Sequence, residues 1–129
     1  MRLLLDTNIL IALVNEQVDR LADAMHGGLT ESDAALHVSV ASLWEIAIKV
    51  PLGRLDLRMS PKLLPDFAQR TGLQIIPIDH RHVLAVVEPA PATRDPFDGL
   101  LLAQCMVEDL RLVTLDRVLA AHPLAWRAG

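Results

Sequence analysis

The chain has 129 residues, which fits a single domain over 1–129, and 52% of them are hydrophobic, enough to bury a core without disulfides or a structural metal. Its net charge of −4 excludes a protein that grips nucleic acid by bulk positive charge, but not one that holds a phosphate through bound cations. The lone Cys105 sits in the apolar run from Leu100 to Val107 and reads as a small core residue, which excludes a disulfide framework and favours a reducing compartment.

Met1 to Val14 has leucines after one arginine, and Ala22-Asp23-Ala24 imitates a cleavage site, but Asp6 and Asn8 interrupt the apolar stretch, so it is not read as a signal peptide. No apolar run approaches the roughly 20 residues of a membrane span. A cytoplasmic protein with no membrane partner is expected.

Arg2-Leu3-Leu4-Leu5 is a short apolar run ending at Asp6 and reads as a buried strand. A helix is predicted over about Thr7 to Asn15 and a second from Asp19 to about His26, broken by Gly27-Gly28. Leu36-His37-Val38-Ser39 reads as a second strand, after which Ser39 or Ala41 opens a helix to about Lys49, with Pro51 and Gly53 beyond its end. Ser60-Pro61 pairs an N-cap with a proline at the first helical position, predicting a helix to about Thr71 that stops at Gly72. Leu73 to Pro77 is a third strand, and Asp79 caps a helix through Val87. Glu88 to Thr93, with two prolines, is a loop. Asp95-Pro96 starts a helix to about Glu108, Leu110 to Thr114 is a fourth strand, Leu115 to Ala121 a short helix, and Leu124 to Arg127 a candidate fifth strand. Strands alternating with helices imply an α/β fold with a parallel sheet covered on both faces. In such sheets ligands bind beyond the carboxyl ends of the strands.

That edge carries acids. Asp6 directly follows the first strand and Asp116 lies two residues after the fourth. If these strands are neighbours, the two carboxylates approach each other. Glu45 lies in the helix after the second strand and Asp98 in the first turn of the helix before the fourth. Each acid also has a plain structural account. Asp6 and Asp116 suit helix caps, Asp95 with Asp98 resembles a capping box, and Glu45 precedes Lys49 by the four residues of a helix ion pair. Glu45 is nevertheless set among Leu43, Trp44, Ile46, Ala47 and Ile48, where a charge carries a desolvation cost unless compensated. Taken together, carboxylates from separate elements are what hard divalent cations such as Mg²⁺ require. Such ions activate a water and neutralise charge in phosphodiester displacement. The five histidines are scattered, do not show zinc spacing and read mostly as surface or loop residues. Neither a phosphate-binding glycine loop nor a Gly-x-Ser-x-Gly elbow is present.

Four segments, in order and across essentially the whole chain, resemble the motifs of PIN-domain toxins of the VapC family. They are Leu4-Leu5-Asp6-Thr7-Asn8; Ser42-Leu43-Trp44-Glu45-Ile46 with Lys49 and Gly53-Arg54-Leu55; Arg94-Asp95-Pro96-Phe97-Asp98; and Leu112-Val113-Thr114-Leu115-Asp116. The resemblance implies a PIN-like three-layer fold with strand order 3-2-1-4-5. It also implies a Mg²⁺- or Mn²⁺-dependent endoribonuclease with RNA as substrate, a cognate antitoxin whose tail blocks the cleft, and a homodimer. By position, Asp6, Glu45, Asp98 and Asp116 match the catalytic, metal-binding acids. Thr7 and Asn8 match the polar pair that helps orient the first acid and its ion, and Thr114 matches the supporting hydroxyl before the last acid. Asp95 is assigned to capping. Gly99 departs from the pattern, standing where a basic residue is common, and few residues follow the last motif to build a fifth strand and a dimer surface. The competing expectations are a non-catalytic PIN scaffold that binds RNA or a protein partner, and a receiver-like domain phosphorylated on Asp6. Single-stranded or looped RNA is the expected target, and with only Trp44, Phe67, Phe97 and Trp126 as aromatics, platforms for base stacking are scarce.

Overall fold

A computed structural model describes residues 1–17, 19 and 34–127. The helix expected over Asp19 to His26 and the Gly27-Gly28 break lie outside those residues. Strand β1 (Arg2–Leu5) leads into helix α1 (Thr7–Val14), and β2 (Ala35–Ser39) into α2 (Val40–Lys49). A 3₁₀ turn (Pro61–Leu63) then runs into α3 (Leu64–Thr71), followed by β3 (Gln74–Ile76) and the short α4 (His80–Val83). Helix α5 (Pro96–Glu108), β4 (Arg111–Val113) and α6 (Arg117–Ala120) complete the described elements. The four strands form one parallel sheet in the order β3-β2-β1-β4.

The local signals act as the chemistry of the residues dictates. Ser39 accepts from the Ala41 N–H at 2.9 Å to start α2, and Asp95 accepts from Phe97 N–H at 2.8 Å ahead of Pro96, whose missing N–H costs nothing at that position. Gly72 ends α3 in the left-handed region at φ 80°, a conformation that a Cβ would disfavour.

Side chains alternate across β1, so Leu3 and Leu5 join one core layer with Ile9, Leu10 and Val14 of α1, Ile46 of α2 and Leu64 of α3. Leu4 faces the other layer, with Leu101, Leu102 and Cys105 of α5 and Leu112 of β4. All three β1 leucines are buried, and each is worth about 1.5–3 kcal/mol over its exposed state. The strand that ends at Asp6 is therefore the most firmly anchored part of the sheet. Burial pushes the Cys105 thiol up to about 12, in keeping with an inert core residue.

Three expectations change. The helix after Asp79 stops at Val83 rather than Val87: Asp79 caps it, the His82 ring accepts from the Asp79 N–H, and Val87 turns into the core from a loop. The fifth strand reduces to a single parallel bridge, Leu112 to Ala125, beside the three-residue β4. His37, His82 and His122 are buried, not surface residues. Each ring finds a partner: His37 the Leu3 carbonyl, His82 the Glu108 carboxylate, His122 the Pro89 carbonyl. Among the described residues no helix is long and apolar enough to cross a membrane.

Candidate active site

The pairing of β1 with β4 brings Leu5 opposite Val113, and the Asp6 N–H bonds to the Val113 carbonyl at 3.0 Å. The loop after β4 is thereby placed beside the end of β1. One small cleft of about 160 Å³ opens there, lined by Asp6, Glu45, Asp98 and Asp116 together with Asp95 and Lys49. The four acids come from the end of β1, from α2, from the first turn of α5 and from the residue before α6.

Asp6 is buried and fully engaged. It caps α1 by accepting from the Ile9 N–H at 2.8 Å, while its second oxygen accepts from the Thr114 hydroxyl. Burial raises its pKa; the Thr114 and Ile9 bonds oppose that, and the neighbouring Asp116 and Glu45 charges reinforce it. Thr114 also accepts from the Asp116 N–H at 3.0 Å, tying the loop after β4 to the end of β1. Asp116 is exposed and caps α6, accepting from Val118 and Leu119 N–H groups at 2.8 and 3.1 Å. Glu45 is 7% exposed and paired with Lys49 one turn on, the compensation its apolar setting demands.

Asp98 has one donor, and a neutral one. It is half-buried, and its one side-chain partner is the Thr93 hydroxyl at 3.3 Å. Burial, followed by the charges of Asp95, Glu45 and Asp6, lifts its carboxyl to about 6. The Asp95–Asp98 pair does not form a capping box: Asp95 caps α5 alone and Asp98 faces the cleft. Thr7 and Asn8 line the cleft, but the Thr7 hydroxyl bonds Ser42 at 2.9 Å, so the partner holding Asp6 is Thr114.

Sequence reasoning had not placed three residues at this cleft. Asp95 contributes charge to it as well as capping, Lys49 supplies the cation among the lining residues, and Thr93 bridges Asp98 to the Asp95 N–H. The Asp95 and Lys49 signals were present, but each was already accounted for by a local helix role. At Gly99, where a basic side chain was expected, an added Cβ would meet nothing within 4 Å.

The donor set is all oxygen, the preference of Mg²⁺ and Mn²⁺, and its mutual repulsion is what a divalent cation would relieve. As they stand, no three acidic, histidine or cysteine side chains among the described residues converge on one point. Glu45 is turned onto Lys49 and Asp116 onto the first turn of α6.

The sequence pattern of the PIN domain matches residues 3–123. The chain belongs to the PIN domain family. Its fold is similar to a chain of the VapBC2 complex from Rickettsia felis bound to a DNA fragment from their promoter, with TM-score 0.67 and 18% identity over 97% of this chain and 96% of that one. It is also similar to a chain of a toxin–antitoxin complex from Klebsiella pneumoniae, with TM-score 0.59 and 18% identity over the same shares of both chains. No curated protein sequence matches the chain. The parallel order β3-β2-β1-β4 is the PIN-like arrangement, with the fifth position held by the Ala125 bridge.

Proposed function

We propose that this PIN-domain protein is a VapC-type toxin, a metal-dependent endoribonuclease held inactive by a cognate antitoxin. The observation that carries the reading is the gathering of four carboxylates from four elements on one cleft, where burial, and then the charges of Asp95, Glu45 and Asp6, lift Asp98 to about 6. A scaffold gains nothing from that repulsion, whereas a cation site depends on it.

Asp6, Glu45, Asp98 and Asp116 are the residues that would hold Mg²⁺ or Mn²⁺. When bound, the ion neutralises phosphate charge and makes a water acidic enough to attack a phosphodiester. The protein's own part is positioning. Thr114 and the Ile9 N–H fix both oxygens of Asp6, so the first ligand needs no reordering when a cation arrives. Lys49 pairs with Glu45 one turn earlier in the same helix and lies against the Phe97 ring, at 5.8 Å from its centroid. Asp98, lifted to about 6 by burial and neighbouring charge, would be held in its charged form by a positive charge beside it.

The similar folds belong to toxin–antitoxin complexes, which supports a protein partner. Its chemistry follows from the cleft: a negative groove accepts an arginine-bearing tail, paired bidentately with the carboxylates. A homodimer and a cytoplasmic location complete the proposal.

The test is brief expression of the intact chain in bacteria, followed by sequencing of newly formed RNA 5′ ends. Growth arrest with discrete cut sites, lost in Asp98→Asn and relieved by a short neighbouring reading frame, is the expected result. Undisturbed growth and RNA would make the chain a non-catalytic PIN scaffold.

A further inference from the structure

The chain's four aromatic residues are sorted by the fold. Phe67 is half-buried against the first core layer, and Trp126 packs there too while its indole N–H contacts the Met1 sulfur, at the end of β1 opposite Asp6. Trp44 and Phe97 instead meet each other, with ring centroids 5.7 Å apart and planes at 72°. Trp44 immediately precedes Glu45, and Phe97 stands between Asp95 and Asp98. Lys49, which lines the cleft, lies over Phe97, so a line of contacts runs from the carboxylates through Lys49 and Phe97 to Trp44.

Trp44 is 60% exposed, although it is one of the chain's largest apolar side chains. Phe97 packs against it at a steep angle and braces it, while much of the indole stays free. A rigid, exposed indole next to a phosphate-handling site matches the π-face that every nucleobase presents, and an ammonium beside it suits the adjoining phosphate. We propose that Trp44, braced by Phe97, is the stacking platform for a base of single-stranded RNA next to the scissile phosphate, with Lys49 contacting the backbone. This rests on the nuclease reading above and adds to it the side chain that grips an unpaired base. A stacked base must be unpaired, so duplex RNA is excluded from the platform.

The same indole borders a second, apolar groove with Val40, Leu43, Ala47, Pro61 and Pro65. That groove would suit a protein surface, and the experiment separates the two uses. In a Trp126→Phe, Asp98→Asn background, which leaves Trp44 as the sole indole and blocks turnover, short single-stranded oligoribonucleotides are titrated in Mg²⁺ while fluorescence is followed. Saturable quenching is expected, absent with an abasic oligomer and with a duplex. Trp44→Ala should weaken binding about tenfold, read by anisotropy of labelled RNA, and Trp44→Phe should restore most of it. In the otherwise unaltered chain, Trp44→Ala should raise KM by about the same factor and leave kcat within about twofold. Quenching without any cleavage by the unaltered chain would sink the nuclease reading and keep this one. Equal RNA affinity with and without Trp44, or Trp44 emission that responds to protein concentration but not to RNA, would overturn the platform and assign the indole to a protein contact.

Discussion

Asp98→Asn is expected to stabilise the metal-free protein at neutral pH and to do nothing for it in acid. The Asp98 carboxyl titrates near 6 in the folded chain, against an ordinary value of 3.8. Between those values the folded state holds a proton that the unfolded state has released, so stability falls as pH rises through the window. Below the lower value both states are protonated and nothing is lost. The full shift would correspond to about 3 kcal/mol at 1.36 kcal/mol per unit, but the group is half-exposed and solvent screening cuts this to about 1 kcal/mol. Asparagine removes the charge while its amide oxygen still accepts from the Thr93 hydroxyl. In a chain of this size about 1 kcal/mol corresponds to a rise of about 4 °C in Tm. The assay is thermal melting in chelator from pH 4 to 8. The gap between variant and parent should be near zero at pH 4, open through pH 5 to 6 and stay level above pH 7. A gap independent of pH, or a variant that melts lower at pH 8, would refute the idea that repulsion and burial act on Asp98.

Millimolar Mg²⁺ or Mn²⁺ should raise the parent's Tm at pH 7, because a ligand of the folded state alone stabilises by mass action. Asp6→Asn should shrink that rise, and an unchanged rise would remove Asp6 from the site. Asp95→Ala should cost about 1 kcal/mol as a lost helix cap and keep most of the RNA cleavage rate. Losing the Asp95 charge should also lower the pH at which Asp98 titrates, measurable by NMR of the side-chain carboxyl. Thr114→Val leaves a buried carboxylate oxygen of Asp6 without its donor and should cost about 1–3 kcal/mol. With that donor gone the Asp6 pKa should rise further, so the deficit should grow as pH rises from 4 to 8. A pH-independent deficit would mean that the hydroxyl matters only for packing.

How much of this was legible in the sequence depends on how local each signal is. Strand β1 and the cap residues Asp6, Ser39, Asp79, Asp95 and Asp116 were readable, since a strand of leucines and a side-chain oxygen before a helix act within a few residues. Helix α4 was overrun because Val86 and Val87 prolong an apolar pattern whose meaning is tertiary: Val87 is buried against α5 and Val86 is 75% exposed. The buried histidines escaped for a similar reason. His37 looks polar in a strand, and only the Leu3 carbonyl across the β1–β2 pair makes its burial affordable. At the cleft, the four acids were found as a set, but the division of donors among them was not. The Thr114–Asp6 bond joins positions 108 residues apart, and the Thr93–Asp98 bond arises in a loop with no periodic pattern.

The donors on the cleft are unevenly shared, and at Asp98 little opposes burial and neighbouring charge. Asp6 receives a hydroxyl and a backbone N–H, Asp116 two backbone N–H groups, and Glu45 an ammonium. Asp98 receives one hydroxyl at 3.3 Å while facing the charges of Asp95, Glu45 and Asp6. Any cation entering the cleft therefore gains most at Asp98, and less at carboxylates whose lone pairs are already occupied. The proposed metal ion and the proposed antitoxin arginine are then competitors for the same unmet charge. Excess Mg²⁺ should weaken the hold of an arginine-bearing tail, and Asp98→Asn should weaken both ligands together.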